Sequence, residues 1–322
     1  MIVDQGERKL QRIVRRALQV VLVLAAVLFV WRFARSHQAD LRRVPLRIEL
    51  LPLALASIVW AVAFGSLVIL WSRSLAWWGA TMRGAAALRV FFLSNLARYV
   101  PGGVWQFAGL AALSSEQGVS PVAATAAVLF QQAALLATGT ALALAVSPIA
   151  LETYLSRWGI TLPSLAVRLT LAGSMVVALI GLLPPLLRPL RRAVERRISD
   201  VRAIPHVSAP ELAGYLAVTF AGWIGYGMSF ALFARAVLAG APLSPVTAAA
   251  IYVAAYVAGI VVIVLPGGIG IREGVLVAAL TPIIGVDRAL FLAIASRVWL
   301  VALEILGALA FLKGRRAPQN DR

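Results

Sequence analysis

Cysteine is absent from the 322-residue sequence. Its absence rules out disulfides, thiolate nucleophiles and cysteine-based metal sites among these residues, and leaves the redox compartment open. Imidazole is nearly absent too: His37 and His206 both stand among arginines in polar stretches. There is no histidine pair, no Asp-x-Asp and no pair of carboxylates on one loop; Asp40 and Glu152 stand alone. Acid–base and metal-assisted chemistry need such groupings, so no catalytic residue, no metal site and no cofactor is expected. A glycine-rich loop ending in Lys-Ser or Lys-Thr is also missing, which argues against direct coupling to ATP. Charge of either sign is scarce at 13%, where soluble domains carry about a quarter.

What the sequence does have is apolar length. Hydrophobic residues make up 61% of it, and apolar runs long enough to cross a bilayer recur throughout. The expected fold class is an all-α polytopic membrane protein, residues 1–322 forming one transmembrane domain. The formal net charge is +17, almost all from arginine. In a soluble protein that balance would suggest nucleic acid. Here the arginines cluster between apolar runs, so anionic lipid headgroups are the expected partners and nucleic acid is not.

The first apolar run, about Ala17 to Trp31, follows Arg8, Lys9, Arg12, Arg15 and Arg16. No clean small-x-small cleavage site follows it, so it reads as a retained first helix rather than a signal peptide. A second span covers about Leu50 to Trp71, with Trp77 and Trp78 as expected interfacial anchors. A helix from Gly84 to Val100 then meets Pro101-Gly102-Gly103, and a short piece, Val104 to Gln117, follows. Proline removes a donor and clashes inside a helix, and glycine permits the reversal. At 1.5 Å per residue, the 14 residues of that piece reach ~21 Å, short of the ~30 Å hydrocarbon core. Ser120 caps the next span, with Pro121 at its first position, running to about Val146. Further spans are expected at about Ser164 to Leu187 and Glu211 to Leu238. Between them residues 188–209 form the most basic loop. A helix from Ser244-Pro245 to Leu265 meets a second break at Pro266-Gly267-Gly268, before Gly270. Ile269 to Ile284 is again short; Gly285-Val286-Asp287 stops it and caps a last span, Arg288 to Leu312.

The order is span, span, broken hairpin, span, then the same again. Residues 10–148 form a first repeat and 164–313 a second. An odd number of crossings per half makes this an inverted-topology repeat with two broken or re-entrant helical hairpins, an architecture typical of secondary transporters. Gly118-Val119-Ser120 and Gly285-Val286-Asp287 fall 17 and 19 residues after their prolines, in keeping with that correspondence. The positive-inside rule puts the 188–209 loop and both termini in the cytoplasm, in a bacterial or archaeal cell membrane. Five arginines in the 32–49 segment resist this orientation.

At the two breaks the chain resembles the lysylphosphatidylglycerol synthase transmembrane-region family. This family includes the membrane half of multiple-peptide-resistance proteins and stand-alone members. The matching residues are Asn95, Arg98-Tyr99-x-Pro101-Gly102-Gly103, the stretch Leu265-Pro266-Gly267-Gly268-Ile269-Gly270-Ile271-Arg272-Glu273-Gly274, and Arg297. The similarity covers roughly residues 10 to 313. It implies flipping or transport of a lipid with a charged or phosphorylated headgroup. It does not imply aminoacyl transfer, since the roughly ten residues after the last span hold no soluble synthetase domain.

The residues themselves nominate a site. Ionisable groups at membrane depth usually face a bundle interior or a pathway. Arg272 and Glu273 are adjacent and point to different sides of their helix: they either line a cavity or hold the hairpin by ion pairs. Arg297 either meets a headgroup or pairs with Glu273 or Glu304. Arg98, beside Tyr99, is the best phosphate candidate of the first half, because guanidinium matches phosphate bidentately; the alternative is snorkelling. No acidic partner lies near it in sequence. Helix N-termini at Val104 and Ile269 favour anions or merely turn the chain. Gln106, Gln131 and Gln132 either donate into a cavity or bond between helices. Three functions compete: a lipid transporter without chemistry, a non-catalytic partner of a lipid-modifying enzyme, and an integral-membrane lipid or polyprenyl transferase. The first fits best, with an ion gradient or downhill movement driving it; a homo-oligomer is compatible with all three.

Overall fold

Among the described residues four helices are long and apolar enough to cross a bilayer: Leu50–Trp78, Pro121–Ala145, Ala209–Val237 and Val286–Phe311. The computed structural model describes residues 32, 35, 48–82, 84–99, 105–146, 152, 156, 159, 161, 163–175, 177–178, 207–238, 240–261 and 270–312. Every element within them is helical. They are α1 (Leu50–Ser74, extended by a 3-10 turn Leu75–Trp78), α2 (Gly84–Leu96, with a 3-10 turn Ala97–Tyr99), α3 (Trp105–Ser115), α4 (Pro121–Ala145), α5 (Leu165–Met175), α6 (Ala209–Val237), α7 (Pro245–Val261), α8 (Ile271–Ile284) and α9 (Val286–Leu312). The protein is thus an integral, all-helical membrane protein. The expected first span, the basic 188–209 loop apart from 207–209, both histidines, and Pro101, Gly102, Gly103, Val104, Pro266, Gly267, Gly268 and Ile269 lie outside the described residues.

The short pieces are as short as the breaks suggest. At 1.5 Å per residue, the 11 residues of α3 rise ~16 Å and the 14 of α8 ~21 Å. Each is packed against the helix before it, α3 on α2 and α8 on α7. Gly109 makes the first of these contacts close: a Cβ there would lie 3.8 Å from Ser94 Cα and 3.9 Å from the Ala97 side chain.

Sequence periodicity explains which face of each helix turns inward. On α1, Trp60, Phe64, Leu67 and Trp71 recur at helical spacing and are buried, while Ile58, Val62 and Ile69 stay exposed on the lipid side. In lipid, apolar surface alone does not drive helices together; close contact and interhelical hydrogen bonds do. Ser229 Oγ donates to Ala56 O at 2.8 Å, Gln131 Nε2 to Leu67 O at 2.6 Å, and Trp223 Nε1 to Leu135 O at 3.1 Å. Gln131 therefore bonds between helices rather than into a cavity. The Glu49 N–H donates to Ala236 O at 2.9 Å. With Ser229 against Ala56, Gly225 against Ala63 and Gly222 against Leu67, this makes α1 and α6 antiparallel along their length.

Local chemistry departs from expectation at three points. Trp78 is buried and Trp77 sits on the rings of Phe130 and Tyr215, at centroid distances of 5.2 and 5.3 Å. Trp78 is thus a core residue and Trp77 is half-buried against the core, because the 3-10 turn carries them back over α4 and α6. Ser120 holds the N-cap position before Pro121, but its side chain makes no capping bond. Asp287 does not cap the last helix: Gly285, at φ +83°, reverses the chain and α9 begins at Val286, leaving Asp287 in its first turn.

Candidate functional site

Five ionisable side chains, Arg98, Arg272, Glu273, Arg297 and Glu304, converge where α2, α7, α8 and α9 meet. Arg272, Glu273, Arg297 and Glu304 are buried, and Arg98 is 17% exposed at its side chain. Isolated charges are expensive at this depth, so partners explain their presence.

Arg98 is in the 3-10 turn that ends the α2 segment. Its guanidinium forms an ion pair with Glu304, through Nη2 and Oε1. Nη2 also donates to Tyr99 OH at 3.0 Å, and Nη1 to Asn95 Oδ1 at 3.3 Å. Tyr99 in turn donates its hydroxyl to Glu304 Oε2 at 2.9 Å. Both oxygens of one carboxylate are thus engaged by adjacent residues of the first half. The sequence offered Arg98 no acidic neighbour; the fold supplies one from α9, and Arg98 is not a snorkelling side chain.

Arg297 and Glu304 share a face of α9, but seven residues separate them by ~10.5 Å along the axis. They therefore take different partners. Arg297 Nη1 lies 3.6 Å from Glu273 Oε1, and its Cζ is 5.4 Å from the Tyr99 ring centroid. Tyr99 spans the gap between the two charges of α9, touching Arg297 with its ring and Glu304 with its hydroxyl. Of the two pairings open to Arg297 in sequence, the structure forms the one with Glu273.

Glu273 has a second task. Its Oε2 accepts the Gly270 N–H at 2.9 Å and so closes the N-terminus of α8. Gly270 takes φ +86°, a left-handed conformation that glycine alone adopts without strain. The carboxylate thereby occupies one N–H of a helix end that the sequence had offered to an anion.

Arg272 diverges from Glu273 by the ~100° step between successive helical residues. Its Cζ lies over the rings of Tyr252 and Tyr256, 5.1 and 5.9 Å from their centroids. Nη2 donates to Ser296 Oγ at 3.4 Å, and Ser296 donates onward to Ala293 O at 2.9 Å. Tyr252, Tyr256 and Ser296 carried no sequence signal, because a tyrosine or serine in an apolar helix has many possible uses.

Of the residues nominated from sequence, Arg98, Tyr99, Arg272, Glu273 and Arg297 come together, with Asn95 and Glu304 beside them. Gln106 is half-buried in the first turn of α3 and joins none of these bonds. Among the described residues no group of three or more His, Cys, Asp or Glu is arranged to hold a metal ion.

Residues 16–309 match the family described as Lysylphosphatidylglycerol synthase TM region. The match covers most of the sequence, and the chain belongs to this family. It is accordingly a lipid-related integral membrane protein. No curated protein matches the chain.

Proposed function

We propose that this member of the lysylphosphatidylglycerol synthase transmembrane-region family moves a lipid with a charged or phosphorylated headgroup between membrane leaflets, without chemistry on the lipid. The observation that carries this reading is the buried cluster of Arg98, Tyr99, Glu304, Arg297, Glu273 and Arg272, built from α2 of the first half and α8 and α9 of the second, with α7 beside them. A polar, charged centre between short helices is what a headgroup crossing the hydrocarbon layer needs, and it is costly to keep for packing alone.

An inverted repeat is part of the proposal, and two contacts support it. Gly139 of α4 lies against Val257 of α7, and Gly307 of α9 lies against Phe92 of α2. Val257 and Phe92 each stand nine residues before the proline of their break, and the glycines 21 and 22 residues after Gly118 and Gly285. The same helix-on-helix contact thus recurs with the halves exchanged, and the equivalent helices α1 and α6 are antiparallel.

The experiment is reconstitution of the full chain in liposomes, with leaflet exchange followed for a panel of fluorescent lipids. Exchange above that of empty liposomes supports transport. Exchange of none, beside a working control protein, favours the reading as a partner of a lipid-modifying enzyme.

A further inference from the structure

The end of α6 and the start of α7 enclose a groove of about 340 Å³ that shares no residue with the charged cluster. That volume falls among those of small-molecule sites, roughly 300–1,000 Å³. Met228, Ala231 and Leu232 form one wall, Leu243 and Ala248 the other, and Arg235 is the only charged residue of the lining. Arg235 is exposed and forms no ion pair among the described residues. Glu49, whose N–H meets the carbonyl of the next residue, is not paired with it either. Residues 236–271 hold no charged side chain.

The length of α6 sets the depth of this groove in the membrane. Its 29 residues rise ~43 Å, the thickness of a bilayer with its headgroups. Arg235, in the last turn, therefore stands at headgroup level, and Ile224, near the middle of the helix, at mid-depth of the hydrocarbon. Ile224 and Met228 are exposed and Leu232 is half-buried, spaced every four residues on one face. The contact with α1 uses another face, through Gly222, Gly225 and Ser229. From Ile224 to Arg235 the helix rises ~16 Å, close to the ~15 Å of hydrocarbon in one leaflet. The face is thus as long as an acyl chain is deep, and it ends in a cation.

We propose that the groove is a docking site for one acidic phospholipid of the surrounding leaflet. Its phosphate sits on the Arg235 guanidinium, and one acyl chain lies along α6 between Met228 and the α7 wall. The arginine stem runs over apolar surface and presents its head at the interface, where a guanidinium engages phosphate oxygens in pairs. An acidic lipid matches the single charge of the groove, and its chain fills a space lined by apolar side chains. The lipid held here is a resident one that braces the corner between α6 and α7, so the site stands or falls apart from the transport reading.

The test uses the full chain in phosphatidylcholine nanodiscs doped with phosphatidylglycerol or phosphatidylcholine carrying a photoactivatable acyl chain, the labelled residues being read by mass spectrometry. Label is expected on Met228, Leu232 and Leu243 in excess over Ile58 and Val62, the lipid-facing residues of α1. Phosphatidylglycerol is expected to label the groove about fivefold more than phosphatidylcholine, the equivalent of the ~1 kcal/mol that one arginine gains at an anionic surface. Arg235→Gln is expected to bring the two lipids level in the groove. Ala231→Phe, which fills the groove, is expected to remove label by both; Ala248→Phe does the same from the α7 wall should Ala231→Phe not fold. Equal label on the groove and the α1 face, or a phosphatidylglycerol preference that survives Arg235→Gln, overturns the site. Inorganic phosphate that abolishes the preference as well as unlabelled phosphatidylglycerol does would leave an anion site without an acyl chain, and the lipid falls. Loss of label in nanodiscs holding two protein copies, with label in those holding one, would give the groove to a second copy and overturn the lipid as well.

Discussion

Arg98 and Glu304 stand 206 residues apart in sequence and form a buried ion pair, with Tyr99 bonded to the second carboxylate oxygen. The pair ties the first hairpin to the last helix.

Arg98→Ala is therefore expected to destabilise the protein as well as to impair transport. Removing one member of a buried pair costs about 3–5 kcal/mol, because the other is left charged and unmatched. The double variant Arg98→Met, Glu304→Leu is expected to recover most of that loss, since an apolar pair of similar volume is often neutral. Thermal unfolding of the two variants in detergent measures both effects; equal losses in single and double variants would show that the carboxylate does not answer the arginine.

Glu273→Gln removes a charge but keeps an oxygen for the Gly270 N–H. Its expected cost is smaller, on the order of 1.5–3 kcal/mol, the range for a hydrogen bond to a charged group. The Arg297 guanidinium retains its contact with the Tyr99 ring, which limits the loss. Chemical denaturation alongside the Arg98 series ranks the two, and a greater loss for Glu273→Gln than for Arg98→Ala would mean that the Glu273 carboxylate matters more to the fold than the Arg98–Glu304 pair.

Gly270→Ala places a Cβ on a residue at φ +86°. That conformation costs an L-residue roughly 1–2 kcal/mol. Relief of the strain would swing the N–H away from Glu273 and loosen Arg297 with it. Lower thermal stability together with slower lipid exchange is expected; a variant with wild-type values in both would mean that the turn does not position the carboxylate.

Gly139→Ala tests the contact between α4 and its neighbours. A Cβ there would lie 2.7 Å from both the Trp223 ring and a Val257 methyl. Overpacking of this kind costs about 1–3 kcal/mol. The expected readout is a lower unfolding temperature together with slower lipid exchange, since the Trp223 ring also packs on Tyr256, which lies under Arg272. A gain in stability would show that α4, α6 and α7 can separate without penalty.

Membrane orientation is open to labelling because the chain has no cysteine of its own. Arg197→Cys is expected to be shielded from an impermeant maleimide in intact cells, and Gly240→Cys to react. The reverse pattern would turn the molecule over in the membrane.

Composition and apolar run length made the membrane class legible, because every buried backbone group in lipid must bond within its own helix. The start of α8 was legible for the same kind of local reason: Gly270 reaches positive φ without a Cβ clash. That Arg98, Tyr99, Arg272, Glu273 and Arg297 belong to the interior was legible as well, since ionisable groups at membrane depth usually face the inside of a bundle. Gln106 was not separable from a bonding or packing residue on that basis. The choice of partners was not local. Arg98 looked solitary because Glu304 lies at the far end of the chain. Arg297 could have met Glu304 on its own helix until the two-turn rise and the intervening Tyr99 divided them. The sequence determined which side chains would be expensive to bury, through their charge and their apolar surroundings. Only the tertiary structure decided which charges answer one another and that Arg272 is met by tyrosine rings, because ion pairing falls off over a few ångströms and depends on which helices touch.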